Sequence, residues 1–135
     1  MTPEVERRCL QVAILLAGIV PVTGGLAGIL AASWLLEVDN SCGASCDSHV
    51  RYLSGLLLGI GLVAWSLVPT VERVGPPLRL LTGLVVIGGL ARLSSLLEVG
   101  VPSRLMIGGL LMELVVTSAL CLWQSRIARV TAPLR

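Results

Sequence analysis

Four stretches of nearly uninterrupted apolar sequence run through the chain, at about Cys9 to Leu36, Tyr52 to Val71, Leu78 to Leu97 and Leu105 to Trp123. A hydrocarbon layer of about 30 Å, crossed at a helical rise of about 1.5 Å per residue, asks for about 20 such residues, so each stretch is long enough to span a bilayer. Lipid offers nothing to hydrogen-bond an exposed backbone amide or carbonyl, and continuous apolar spans of this length must therefore satisfy their own backbone as α-helices. A mean hydropathy of +0.92 with only 13% charged residues lies beyond what a water-soluble core and surface jointly produce.

The connecting segments are "EVDNSCGASCDSHVR", "ERVGPP" and "EVGVPS", rich in Gly, Pro and acidic residues, as turns at a water boundary are. The last two are short, so consecutive helices run antiparallel as neighbours. The expected fold is all-α, a transmembrane up-down four-helix bundle in a single domain covering residues 1–135. The basic residues are all arginine, and Phe is absent, a bias that reads as the composition of a GC-rich bacterial genome. With both termini in the cytoplasm, that side holds Arg7, Arg8, Arg73, Arg79, Arg126, Arg129 and Arg135, and the outer side holds only Arg51 and Arg104. The positive-inside rule selects this topology, placing the loop 37–51 in the periplasm of a bacterial inner membrane. Trp34 and Trp123 fall near helix ends, where amphipathic rings favour the interface, and Trp65 lies deeper. The net charge of +2 is too small and too scattered for nucleic-acid binding.

The first apolar stretch exceeds a signal-peptide core of about 7 to 15 residues, so it is expected as a retained helix, with Pro21, Gly24 and Gly25 loosening its middle. Cys42 and Cys46 fall in the outer loop, where an oxidising compartment makes them a natural disulfide pair. Their C-x-x-x-C spacing differs from the C-x-x-C of thioredoxin-like redox sites. Two sharper readings stand beside a structural clip: a quinone-coupled thiol oxidant, and a metal site from Cys42, Cys46, His49 and Asp39 or Asp47. One histidine in a loop is a weak basis for the latter, and no metal is expected.

Small residues show where helices can meet. Gly24 and Gly28 stand four apart in the first helix, as do Gly55 and Gly59 in the second, and the pairs Gly88, Gly89 and Gly108, Gly109 recur in the third and fourth. Such faces let backbones approach where no hydrophobic effect drives association, within the chain or against other subunits. Two ionisable residues interrupt the apolar spans: Arg92 in "GGLARL" and Glu113 in "GGLLMEL". A charge at the bilayer centre costs at least about 2.5–3.5 kcal/mol, so both should face inward and find partners. An Arg92–Glu113 ion pair is expected, capped by Asp47, His49, Arg51 and Tyr52, with Glu98 the competing carboxylate for Arg92. The pair either fixes helix register or lines a ligand pocket.

The run "CDSHVRYLSGLLLGIGLVAW", followed by "GGLARLSSLLEVGVPS" and "MELVVTSALCLW", resembles the small bacterial membrane proteins grouped as domain of unknown function 4345. The likeness covers nearly all of the chain after the first helix. Its most specific part is Asp47, Ser48, His49, Arg51, Tyr52, Leu53, Ser54 and Gly55, with Arg92 and Glu113 at later polar positions. The resemblance implies a four-helix integral membrane fold reminiscent of the DoxX group and brings no particular reaction.

No Ser-His-Asp order, phosphate loop or H-E-x-x-H motif is present, so no catalysis is expected. The expected role is an accessory or structural subunit that docks into a larger membrane complex through its Gly-rich faces, with membrane lipids and other subunits or a second copy as partners. The alternative is binding of a lipid, quinone or other small amphiphile in the outer-half polar cluster, with thiol chemistry at Cys42 and Cys46. No cofactor is expected, and contact with a lipid, quinone or pigment belongs to that alternative.

Overall fold

In the computed structural model, residues 2–31 and 43–131 are described, and they are helical apart from short turns. Helix α1 covers Pro3–Leu30 and helix α2 Ala44–Leu67, the latter running into a 3₁₀ turn at Val68–Thr70. Helix α3 covers Gly75–Glu98, and helix α4 is built from Arg104–Leu111, a π-helical turn at Met112–Val116 and Thr117–Thr131. No strand occurs among the described residues. Four helices, Glu4–Leu30, Ala44–Thr70, Gly75–Glu98 and Arg104–Val130, are long and apolar enough to cross a membrane. The fold class is therefore all-α and four-helical.

The helix limits differ from those expected of hydropathy, for local reasons. Helix α2 begins at Ala44 rather than near Tyr52, so residues 44–51 of the expected periplasmic loop are helical. Its first turn is closed by the amides of Cys46 and Asp47 donating to the Gly43 carbonyl, at 2.9 and 3.2 Å. The Asp47 carboxylate lies in this first turn, where the positive end of the helix dipole favours an anion. At the other end of the chain, α4 continues past Trp123 to Thr131, and α1 starts at Pro3 rather than Cys9. A hydropathy window measures the thickness of lipid, whereas hydrogen bonding carries a helix on into the interface. Residues 32–42, which contain Trp34, Asp39 and Cys42, lie outside the described residues.

Helix α1 continues as helix through Pro21. Its buried positions Leu10, Ile14, Gly18, Val22, Gly25 and Gly28 recur every three or four residues and form one face. Between α3 and α4, Gly100 adopts φ +121°, a region that costs a side chain strain and glycine nothing. The prolines Pro76 and Pro77 open α3, where the missing amides would have lacked helical partners anyway.

The chain forms two compact units, residues 1–17 with 67–135, and residues 18–66. In the first, Leu10, Ile14, Val71, Leu78, Leu81 and Ile127 are buried together with Gln124. Two glutamines serve the turn after α2: Gln11 Nε2 donates to the Val68 carbonyl at 3.0 Å and Gln124 Nε2 to the Val71 carbonyl at 2.9 Å. Carbonyls at a helix exit have no helical donor, and these amides supply one. In the second unit the halves of α1 and α2 meet through glycines. The indole of Trp65 lies over Gly18, a Cβ on Gly25 would stand 2.6 Å from the Leu58 amide nitrogen, and one on Gly61 would stand 3.0 Å from that of Val22. Only hydrogen fits at such distances, so these three positions bring the two backbones together.

Candidate functional site

The polar residues singled out from the sequence fall into two groups, one in each unit. In residues 18–66, Arg51 Nε donates to Asp47 Oδ2 at 2.7 Å and Nη2 to Oδ1 at 3.2 Å, one helical turn apart on α2. Arg51 Nη1 also donates to the Ile29 carbonyl at the end of α1. The guanidinium thus caps α1 while anchored on α2, and its role is visible as a helix-end clamp. Ser54, one turn further along, is buried and donates to the Val50 carbonyl at 2.7 Å. His49 and Tyr52 are exposed, Tyr52 to 63%.

In residues 67–135, Arg92 and Glu113 are brought together. Arg92 Nε donates to Glu113 Oε2 and Nη2 to Oε1, both at 3.0 Å, and Nη1 points to the Met106 sulfur at 2.9 Å. Two parallel N–H···O bonds match the planar fork of guanidinium to carboxylate, the geometry that makes such pairs strong. Glu98, the competing carboxylate, is exposed beyond the pair, and the carboxylate that Arg92 bonds is Glu113. The side chains are 33% and 18% exposed, so within an apolar span each charge spends most of its surface on protein.

The surroundings explain how two helices make room for this pair. Met106, Gly109 and Glu113 lie on one face of α4 at spacings of three and four, and Gly89 and Arg92 do the same on α3. A Cβ on Gly89 would stand 2.7 Å from Leu114 Cδ2 and 3.0 Å from Glu113 Cβ, so the helices touch there through a glycine. A Cβ on Gly109 would stand 3.8 Å from Arg92 Cζ, so the guanidinium lies against that bare backbone. The π turn at Met112–Val116 holds the extra residue that lets neighbours Glu113 and Leu114 both reach Gly89. The Met112 carbonyl at its start accepts both the Thr117 amide and, at 2.8 Å, the Thr117 hydroxyl. Such π turns gather at functional sites more often than chance.

The glycines divide by use. Gly89 and Gly109 frame the ion pair, a Cβ on Gly24 would stand 3.6 Å from Leu57 Cδ2, and Gly28 is buried. Gly55, Gly59, Gly88 and Gly108 would meet nothing within 4 Å, as would Gly83. Gly18, Gly25 and Gly61, which make the close contacts of α1 with α2, were not among the expected packing positions. Their signal lay in the helical face that Gly18 and Gly25 share with Ile14 and Val22, not in a four-residue glycine spacing.

Among the described residues, no three His, Cys, Asp or Glu side chains gather as a metal site, and free thiols occur at Cys9 and Cys121. Cys42 and Asp39 lie outside the described residues, and with them the expected cysteine pair.

Four helices long and apolar enough to cross a membrane, two of them joined by an ion pair, are the features of a multi-span membrane protein. The family model for Domain of unknown function (DUF4345) matches residues 9–124, and the chain belongs to that family. No curated protein and no solved structure matches the chain.

Proposed function

We propose that this chain is a non-catalytic accessory subunit of the bacterial cytoplasmic membrane, docking other transmembrane helices through glycine faces that its own fold leaves open. The observation that carries this reading is the contrast among glycines: a Cβ on Gly18, Gly25, Gly61 or Gly89 would run into a neighbour, whereas one on Gly55, Gly59, Gly88 or Gly108 would meet nothing within 4 Å. An exposed glycine in an apolar helix lowers helix propensity without packing gain, unless another backbone comes close. Both termini are cytoplasmic in this reading, on the arginine count, and Cys42 with Cys46 forms a periplasmic disulfide.

Extraction in mild detergent followed by native mass spectrometry tests it. A stoichiometric membrane partner or a dimer, lost in Gly88→Leu or Gly108→Leu with the monomer still folded, supports docking. A monomer unchanged by both substitutions overturns it.

The second reading makes the Arg92–Glu113 pair the polar anchor for a lipid, quinone or pigment, with thiol chemistry at Cys42 and Cys46. The π turn at Glu113 favours it, since a helix irregularity at a charged residue is costly unless used. A bound amphiphile that disappears in Arg92→Ala would select this reading.

A further inference from the structure

Within residues 1–17 and 67–135, one end carries most of the positive charge. Glu6 pairs with Arg126 at 3.4 Å and Glu72 with Arg7 at 3.6 Å, which ties the start of α1, the turn after α2 and the end of α4 to the same end. Arg79 and Arg129 have no carboxylate partner among the described residues. Both line one open cavity of about 410 Å³, together with Ser125 and Ala128. Arg79 rests against Gly75, where a Cβ would stand 3.1 Å from its Nη2. Arg129 donates its Nε to the Ser125 carbonyl at 3.1 Å, which fixes the stem and leaves both terminal nitrogens with hydrogens to donate. The first turn of α3 contains no acidic residue that would neutralise Arg79.

Beyond the residues that line this cavity, both helices also expose apolar surface. One turn deeper in the span, Gly83 follows Arg79 by four residues and would meet nothing within 4 Å. On α4, Leu122 precedes Ser125 by three residues and is 72% exposed. Gly83, one turn from Arg79, and Leu122, one turn from Ser125, each leave apolar surface exposed on the bilayer side of the two guanidinium groups.

We propose that Arg79 and Arg129 clamp the phosphate group of an anionic glycerophospholipid, with one acyl chain lying along Gly83 and Leu122. The unesterified phosphate oxygens accept hydrogen bonds from planar guanidinium donors, the geometry arginine offers and lysine does not. The site occupies the end of the span where anionic headgroups concentrate near juxtamembrane arginines. It uses neither Arg92 nor Glu113, and it stands whichever of the two readings above holds.

The full chain in mild zwitterionic detergent is titrated with dioleoylphosphatidylglycerol, with dioleoylphosphatidylcholine and with inorganic phosphate, and adducts are counted by native mass spectrometry. The expected result is a one-to-one phosphatidylglycerol adduct at least about tenfold tighter than phosphatidylcholine, weakened about fivefold by Arg79→Gln or by Arg129→Gln. Arg104→Gln, at the opposite end of α4, leaves it unchanged. Circular dichroism confirms that each variant is helical. If Arg79→Gln does not fold, the exposed Arg129 on the last turns of α4 carries the test alone. Equal retention of both lipids, or equal loss in Arg104→Gln, overturns the site. Binding of inorganic phosphate through Arg79 with no preference for phosphatidylglycerol overturns the lipid as its source.

Discussion

Helices α1 and α2 meet backbone to backbone, whereas α3 and α4 meet around a pair of opposite charges. The first contact uses Gly18 under Trp65, Gly25 against Leu58 and Gly61 against Val22, where close approach brings dispersion, and it adds the hydrogen bond from Arg51 to the Ile29 carbonyl at the end of α1. The second also uses a glycine, Gly89, but its main bond is the two-pronged Arg92–Glu113 pair set against Gly109. In lipid, apolar side chains gain nothing by leaving one hydrocarbon for another, so a helix pair must either fit very closely or share a hydrogen bond. The α1–α2 contact rests mainly on the first solution and the α3–α4 contact on the second. The two should fail differently: the close fit breaks when atoms are added, the charged contact when one partner is taken away.

The largest effect is expected from Glu113→Leu. It strands the Arg92 guanidinium in an apolar span, at a cost of about 2.5–3.5 kcal/mol, read as a lowered thermal midpoint in detergent. If stability rises instead, the guanidinium has another home and the contrast between the two contacts disappears. Next comes Gly25→Ala, which places a methyl group 2.6 Å from a backbone nitrogen and should cost about 1–3 kcal/mol by overpacking. A neutral result would mean that α1 and α2 separate freely, and the close-fit description of that contact would not stand. Thr117→Val removes the hydroxyl from the Met112 carbonyl and should cost about 0.5–1.5 kcal/mol, because the Thr117 amide still serves that oxygen. The smallest effect belongs to Gly88→Ala, which meets empty space and should change monomer stability by less than about 0.5 kcal/mol. A large loss there would show that α3 is packed on a face that the fold leaves open.

How much of this was legible beforehand follows the same division. The four spans were readable because helices in lipid must be long and apolar, and Arg92 and Glu113 stood out because they lie well inside those stretches, whereas Arg79 sits at the edge of its own. Their pairing followed from the short turn at residues 99–103, which makes α3 and α4 antiparallel neighbours. The close-fit contact was not readable. In a helix apolar on every side, hydropathy does not mark which face is inward, so the equally spaced Gly55 and Gly59 looked as good as Gly25 and Gly61. Residues 44–51 read as loop because they are polar, yet Asp47 and Arg51 stand one turn apart and bond as helical neighbours do. The π turn had no sequence signal, since it answers to the position of Gly89 on another helix.

A double-mutant cycle on Arg92 and Glu113 tests the charged contact most directly, with thermal unfolding in one detergent as the readout for Arg92→Leu, Glu113→Leu and the double substitution. Mutual dependence predicts that each single change destabilises and that the double variant recovers most of the loss, since neither charge is then left alone in the span. Losses that simply add would contradict it, and would mean that Arg92 and Glu113 do not hold α3 to α4.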